Sequence, residues 1–396
     1  MKPDLKKLEP YPFAKLKGLF DDVTPAPDKT PIALSIGEPQ HESPAFVLQV
    51  IEDNLSRMAK YPTTAGMPEL RRAIAAWLDN RFKLDHVDPE QQVLPVNGTR
   101  EALFSLAQTV IDPVPGAQVM CPNPFYQIYE GATLLAGATP YFINCSPNTG
   151  LLPDFDSVPK ENWQRCQLLY LCSPGNPTGA VMSLAQLKTI IELSHEHDFV
   201  IASDECYSEI YPDDSAPPTG LLQACSQMGD QDFRNGISFH SLSKRSNLPG
   251  LRSGFVAGDA DILKPFLQYR TYHGCAMPLH HQLASIAAWS DEDHVRINRQ
   301  RYREKFGHVL KALHGHLPVT QPDAGFYLWP QTPVSDTEFA RGLYREEHLT
   351  VLPGRFLGRE AHGLNPGENR VRMALVANLD DCIEAAHRIT RYLNRL

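Results

Sequence analysis

The residues best suited to chemistry sit in Ser241-Leu-Ser-Lys-Arg-Ser-Asn-Leu-Pro-Gly-Leu-Arg-Ser-Gly254, where Lys244 stands among hydroxyl residues and Arg252 follows eight positions later. Ile237 to Ser241 lead into the segment as a strand would, so the lysine falls at a strand's end. A charge there is costly unless it is paired or its pKa falls. A lysine desolvated in this way reacts as an amine and forms Schiff bases with aldehydes. Ser241, Ser243 and Arg252 add hydroxyl donors and a planar guanidinium fork, which together suit a phosphate monoester. An aldehyde-binding amine beside a phosphate cradle points to pyridoxal 5'-phosphate.

That cofactor has further needs. A carboxylate must keep its pyridine nitrogen protonated, because the protonated ring is the electron sink. Asp204, just past Phe199-Val-Ile-Ala-Ser203, stands at the mouth of an expected central strand. Capping the following helix is the alternative role for that aspartate. Gly98 and Thr99 open a helix whose first N–H groups are free to bind an anion, and Gly98 lets the backbone approach closely.

Other segments follow in order: Gly37-Glu-Pro39, Tyr61 with Gly66 and Leu70-Arg71, Asn97-Gly-Thr-Arg-Glu-Ala-Leu103, Ser173-Pro-Gly-Asn-Pro-Thr-Gly179, Asp204-Glu-Cys-Tyr207 and Arg370-Val-Arg372. Together with the lysine segment, over about residues 32 to 376, this series resembles the class I/II aminotransferases, the fold-type I pyridoxal-phosphate enzymes. The lysine loop looks most like the succinyldiaminopimelate aminotransferase branch of bacterial lysine biosynthesis.

The resemblance implies a homodimer with shared active sites, in which Tyr61 reaches the phosphate of the partner subunit. It implies that Asn176 and Tyr207 donate hydrogen bonds to the ring hydroxyl oxygen, and that Tyr126 stacks on the ring, with Phe125 the alternative. It places Arg100 with Gly98 and Thr99 in the cofactor set. Arg372, with the backbone of Gly37 and with Asn176, should take the substrate's α-carboxylate. Arg370 lies two residues earlier on the same strand face, so that choice depends on motif register. Arg245 departs from the wider family, where the residue after the lysine is usually uncharged. Arg245 and Arg355 are expected to meet a distal carboxylate. The expected substrates are N-succinyl-2-amino-6-oxopimelate and glutamate. Rival activities are an aminotransferase for aspartate, aromatic amino acids or LL-diaminopimelate, and a carbon–sulfur β-lyase. A non-catalytic, aminotransferase-like regulatory domain is a rival of another class. It is disfavoured because Lys244 is present and no basic helical extension precedes the matched region.

Lys and Arg number 37 against 46 Asp and Glu, a net charge of −9 without long runs of either sign. That balance argues against nucleic acid or an anionic membrane as partner. No apolar run has bilayer length and the first residues have no signal core, so a cytoplasmic protein is expected. The eight cysteines are scattered singly, none in a C-x-x-C pair, and read as free thiols. His195-Glu-His197, His280-His281 and His314-Gly-His316 lack a metal-ligand frame, so no metal is expected.

Amphipathic helices are expected at Glu69 to Phe82, from Thr99, and from Ser183, where Gln186 completes a capping box. Short apolar runs alternate with them: Val119 to Cys121, Leu168 to Cys172, Phe199 to Ser203, Ile237 to His240 and Phe255 to Ala257. This is the pattern of an α/β fold, a mainly parallel sheet covered by helices on both faces. The expected large domain spans 46–290, with 1–45 and 291–396 forming an arm and a smaller α+β lobe. The last helix should bury Ile383, Ala386, Ile389 and Leu393.

Overall fold

The computed structural model describes residues 3–396. Twelve strands run β1 Ile32–Ala33, β2 Val93–Val96, β3 Gln118–Asn123, β4 Thr139–Asn144, β5 Cys166–Cys172, β6 Val200–Asp204, β7 Gly236–Ser241, β8 Gly254–Gly258, β9 Tyr327–Leu328, β10 Leu349–Thr350, β11 Leu352–Pro353 and β12 Val371–Ala374. Seven of them form the main sheet, in the order β2-β8-β7-β6-β5-β3-β4. Neighbours pair in parallel except β8, which runs antiparallel to both β2 and β7. The carboxyl ends of β2, β3, β5, β6 and β7 therefore share one edge, where ligands bind in open α/β sheets.

The apolar runs exist because both faces of this sheet are covered. Along β5 the alternation sends Leu169 and Leu171 to one core and Leu168 and Tyr170 to the other. The first core contains Leu70, Ile74, Trp77 and Leu78 from the helix Pro68–Phe82, together with Leu187, Ile190 and Ile191 from Leu184–His197. The second holds Ala102, Leu103 and Leu106 from Thr99–Val110. Ser183 caps its helix as expected, accepting from the backbone N–H of Gln186.

A third core joins Ile32 and Leu34 to Phe306, Val309, Phe339, Leu343, Val371, Met373 and Ile389, so the N-terminal segment returns to the C-terminal elements. β1 pairs in parallel with β10, and β11, β12 and β9 form a small antiparallel sheet. The last helix, Leu379–Leu393, corrects the expected stripe. It buries Cys382, Ala385, Ala386, Ile389 and Tyr392, leaving Ile383 and Leu393 half-buried at the margin. All eight cysteines are free. Among the described residues no helix is long and apolar enough to cross a membrane.

Candidate functional site

A cleft of about 660 Å³ opens where the carboxyl ends of β2, β5, β6 and β7 meet the small sheet. Lys244 reaches it from the turn Leu242–Arg245 that follows β7, and its Nζ donates to the backbone carbonyl of Gly37. Burial lowers its pKa from 10.5 to about 8; the nearby Arg372 and Arg252 guanidinium groups act in the same direction. The amine is thus neutral over much of the range where a surface lysine stays charged. Competitive acetylation of the cofactor-free protein, read by peptide mass, is expected to give Lys244 a half-maximal rate near pH 8, well before exposed lysines titrate. A midpoint near 10.5 would refute the desolvated amine.

Asp204 closes β6 and is 5 % exposed. Its carboxylate accepts from Tyr129 Oη at 2.9 Å and from the Cys206 backbone N–H at 3.3 Å. Burial raises its pKa; the hydrogen bonds through Cys206 and Tyr129 only partly offset that. Tyr129, stacked on Tyr170 at 4.5 Å, was not singled out from the sequence, although it lies one helical turn beyond Tyr126. Cys206 also lines the cleft, its Sγ 3.1 Å from Thr99 Oγ1.

Arg372 occupies β12, the middle strand of the small sheet. Its Nη1 donates to Asn176 Oδ1 at 3.0 Å and its Nη2 to the Ser35 carbonyl at 2.7 Å, while Nε is buried without a partner. Tyr327, also not anticipated, stacks 4.6 Å from this guanidinium and shares a 2.9 Å hydroxyl contact with Tyr207. Arg370 points elsewhere, donating to the Trp329 carbonyl. Of the two arginines, Arg372 lines the cleft and Arg370 does not.

Gly98 has φ +82°, and a Cβ there would fall 2.1 Å from Arg252 Nη2, so only glycine admits the guanidinium against this helix start. Ser241 Oγ donates to Ser243 Oγ at 2.9 Å and accepts from the Ser243 backbone N–H at 3.1 Å. Tyr126 lines the cleft and accepts from Arg100 Nε at 2.7 Å, whereas Phe125 is 1 % exposed and stacks on Phe142.

Two expected arginines lie outside the cleft. Arg245 does not face it: its guanidinium is sandwiched near Trp289 and Trp77, donates to the Ala288 carbonyl at 2.7 Å and pairs with Glu292. The reason is helical geometry, since consecutive residues diverge by about 100° and Lys244 takes the cleft side. Arg355 also misses it, its Nε held by buried Asp336 at 2.7 Å. Tyr61, expected to act in the partner subunit's site, is fully exposed and does not line the cleft of its own chain.

The sequence model of the family described as aminotransferase class I and II matches residues 29–389. The chain belongs to the class I and II aminotransferases. The LL-diaminopimelate aminotransferase of Desulforudis audaxviator is 31% identical over 99% of this chain and 97% of its own length. An aminotransferase structure from Neisseria meningitidis is 49% identical, with TM-score 0.95 and 99% of each chain covered. A probable N-succinyldiaminopimelate aminotransferase from Thermus thermophilus is 25% identical, with TM-score 0.85, covering 96% of this chain and 100% of that one. The fold is accordingly fold type I, and the cofactor of this aminotransferase is pyridoxal 5'-phosphate.

The cleft fits that group. A depressed amine, a buried carboxylate, a flat aromatic and a cluster of hydroxyl and guanidinium donors at a glycine-opened helix start match its aldehyde, ring nitrogen, ring face and phosphate.

Proposed function

We propose that this aminotransferase moves amino groups between glutamate and N-succinyl-2-amino-6-oxopimelate, as part of lysine formation. The observation that carries the distal-carboxylate part of this reading is Arg100. It lines the cleft with only its Nε engaged, by Tyr126, so both terminal nitrogens remain for a ligand carboxylate. With Arg372 it provides two guanidinium groups in one cleft, one for the α-carboxylate at the reacting end and one for a distal carboxylate of the substrate. The Thermus relative's name supports the succinylated substrate, and the lysine loop points the same way. Free LL-diaminopimelate is the second reading, favoured by the Desulforudis relative.

In this reading Lys244 anchors the cofactor and its Nζ removes the substrate α-proton. Asp204 sets a negative charge against the pyridine nitrogen. Asn176 and Tyr207 face the ring hydroxyl. Gly98, Thr99, the Arg100 backbone, Ser241, Ser243 and Arg252 hold the phosphate, and Tyr126 covers the ring. Arg372, with the Gly37 backbone, orients the α-carboxylate. Bound pyridoxal phosphate supplies an electron-poor ring that takes up the charge left by the departing proton. The same reading divides the chain at about residues 46 and 290 and pairs two copies through a surface that includes Tyr61 and Met58, both exposed here. In the dimer Tyr61 would complete the partner's phosphate site.

A panel of amino donors tests the assignment through loss of the bound cofactor's visible absorbance. N-succinyl-LL-diaminopimelate and glutamate should bleach it. Bleaching by unacylated LL-diaminopimelate alone would transfer the assignment to the second reading, and release of pyruvate and ammonia with no oxo-acid acceptor added would indicate a β-lyase. Arg100→Met is expected to raise KM for both substrates, each of which carries a distal carboxylate, by about 10- to 100-fold, the loss of one charge-assisted pair, with less change for alanine. Equal effects on all donors would remove Arg100 from substrate recognition.

A further inference from the structure

Asn298 lies on the long helix Asp293–Leu313 and is 2 % exposed. It does not line the cleft, yet its amide is saturated by the catalytic region. Nδ2 donates to the backbone carbonyls of Lys244 at 3.1 Å and Arg245 at 3.2 Å. Oδ1 accepts from Asn247 Nδ2 at 3.0 Å and meets His41 Nδ1 at 2.8 Å.

The orientation of this amide is forced. Carbonyls only accept, so the nitrogen must face Lys244 and Arg245, which turns the oxygen toward Asn247 and makes His41 Nδ1 a donor. Burial pushes the His41 pKa down to about 4, so the ring makes this contact as a neutral group. Both donors and both lone pairs of one buried amide are thereby used, the condition under which a polar network rigidifies its surroundings.

The carbonyls it holds end the turn Leu242–Arg245, where a helix has no partners of its own for them. Fixing them fixes the backbone from which the Lys244 side chain leaves. Its other partners reach the far end of that side chain. His41 belongs to the segment whose Gly37 carbonyl accepts from Lys244 Nζ, and Ser43 Oγ on that segment donates to the Asn247 carbonyl at 2.9 Å. Further along the same helix, Phe306 and Val309 pack with Val371 and Met373, the residues flanking Arg372 on β12. One rigid element thus connects the lysine to the carboxylate-binding strand.

We propose that Asn298 is a positioning residue for Lys244, holding the lysine turn and the Gly37 segment in register so that the amine points at the reacting carbon. The proposal rests on the assignment of Lys244 as the cofactor-bearing amine. A misplacement near 1 Å in such a group costs about 10²-fold in rate.

The test uses cofactor-saturated Asn298→Ala and, as a smaller perturbation should alanine not fold, Asn298→Ser. Single-turnover reaction with glutamate is followed by loss of visible absorbance. The alanine variant is expected to react about 10²-fold more slowly, a loss well beyond any rise in the glutamate concentration giving half-maximal rate, because Arg372 keeps its own contacts to Asn176 and Ser35 while only the Gly37 side of the carboxylate site loosens. The pH midpoint of the cofactor's visible band, which reports the environment of its link to Lys244, should also move. A variant that melts earlier but keeps wild-type rate and midpoint would show a merely structural amide and overturn the proposal. Borohydride reduction of the wild type with peptide mapping separates the two levels. A label at Lys244 with unaffected Asn298 variants defeats this inference alone; a label elsewhere defeats the Lys244 assignment as well.

Discussion

Lys244→Ala is expected to lower turnover by about 10⁴-fold or more, the upper range for loss of a positioned general base, since the same change removes the covalent anchor. Lys244→Arg should be nearly as damaging although it keeps the charge. The function assigned to Nζ requires a neutral amine, and a guanidinium does not deprotonate in proteins. Burial lowers the lysine's pKa to about 8, so the neutral amine is far more accessible than at an exposed lysine. Both variants should retain pyridoxal phosphate after gel filtration, more weakly than wild type, because the Gly98, Ser241, Ser243 and Arg252 cradle is intact. Spectra of the variants with the donor panel provide the measurement. Wild-type bleaching by either variant would remove Lys244 from the chemistry.

The main sheet was legible where its strands are central and was missed where they are not. β3, β5, β6, β7 and β8 are buried on both faces and show as apolar runs. β2 and β4 are the two edges, and each contains a proline, Pro95 and Pro140, which lowers the strand signal but is tolerated where one side of the ladder is free. The site followed a similar division. Residues carried by contiguous motifs, such as Asn176, Asp204, Lys244 and Arg252, come together in the cleft. Charges assigned from chemistry alone did not. Arg245 shares its loop with Lys244, but a one-residue step along the turn sends it under Trp289 instead. Tyr327 and Asn298 gave no signal, because each matters through partners far away in the chain. A lone tyrosine or asparagine has no periodicity by which to be found.

Asp204→Asn is the other large effect expected, a fall of about 10²- to 10³-fold in the rate of the half-reaction, the magnitude attached to removing one preorganised electrostatic group. The substitution keeps the shape and the hydrogen bonds. The amide oxygen can accept from the Cys206 N–H and the amide nitrogen can donate to Tyr129 Oη, whose hydroxyl rotates to accept. What disappears is the charge. In the cofactor-free protein that charge has a stability consequence of opposite sign. Burial raises the folded-state pKa of Asp204, so above that pKa the folded chain holds an ionised group that the unfolded chain holds more easily. Asparagine relieves this cost, so without cofactor the variant should melt no lower than the wild type at pH 8, although the cofactor-loaded variant has lost most of its activity. With pyridoxal phosphate bound the order should reverse, because the ring nitrogen then gives the carboxylate its partner and the cofactor stabilises the wild type more than the variant. Thermal melts of both proteins with and without cofactor check this crossing. A variant less stable in both states would assign the lost activity to misfolding instead of to the missing charge.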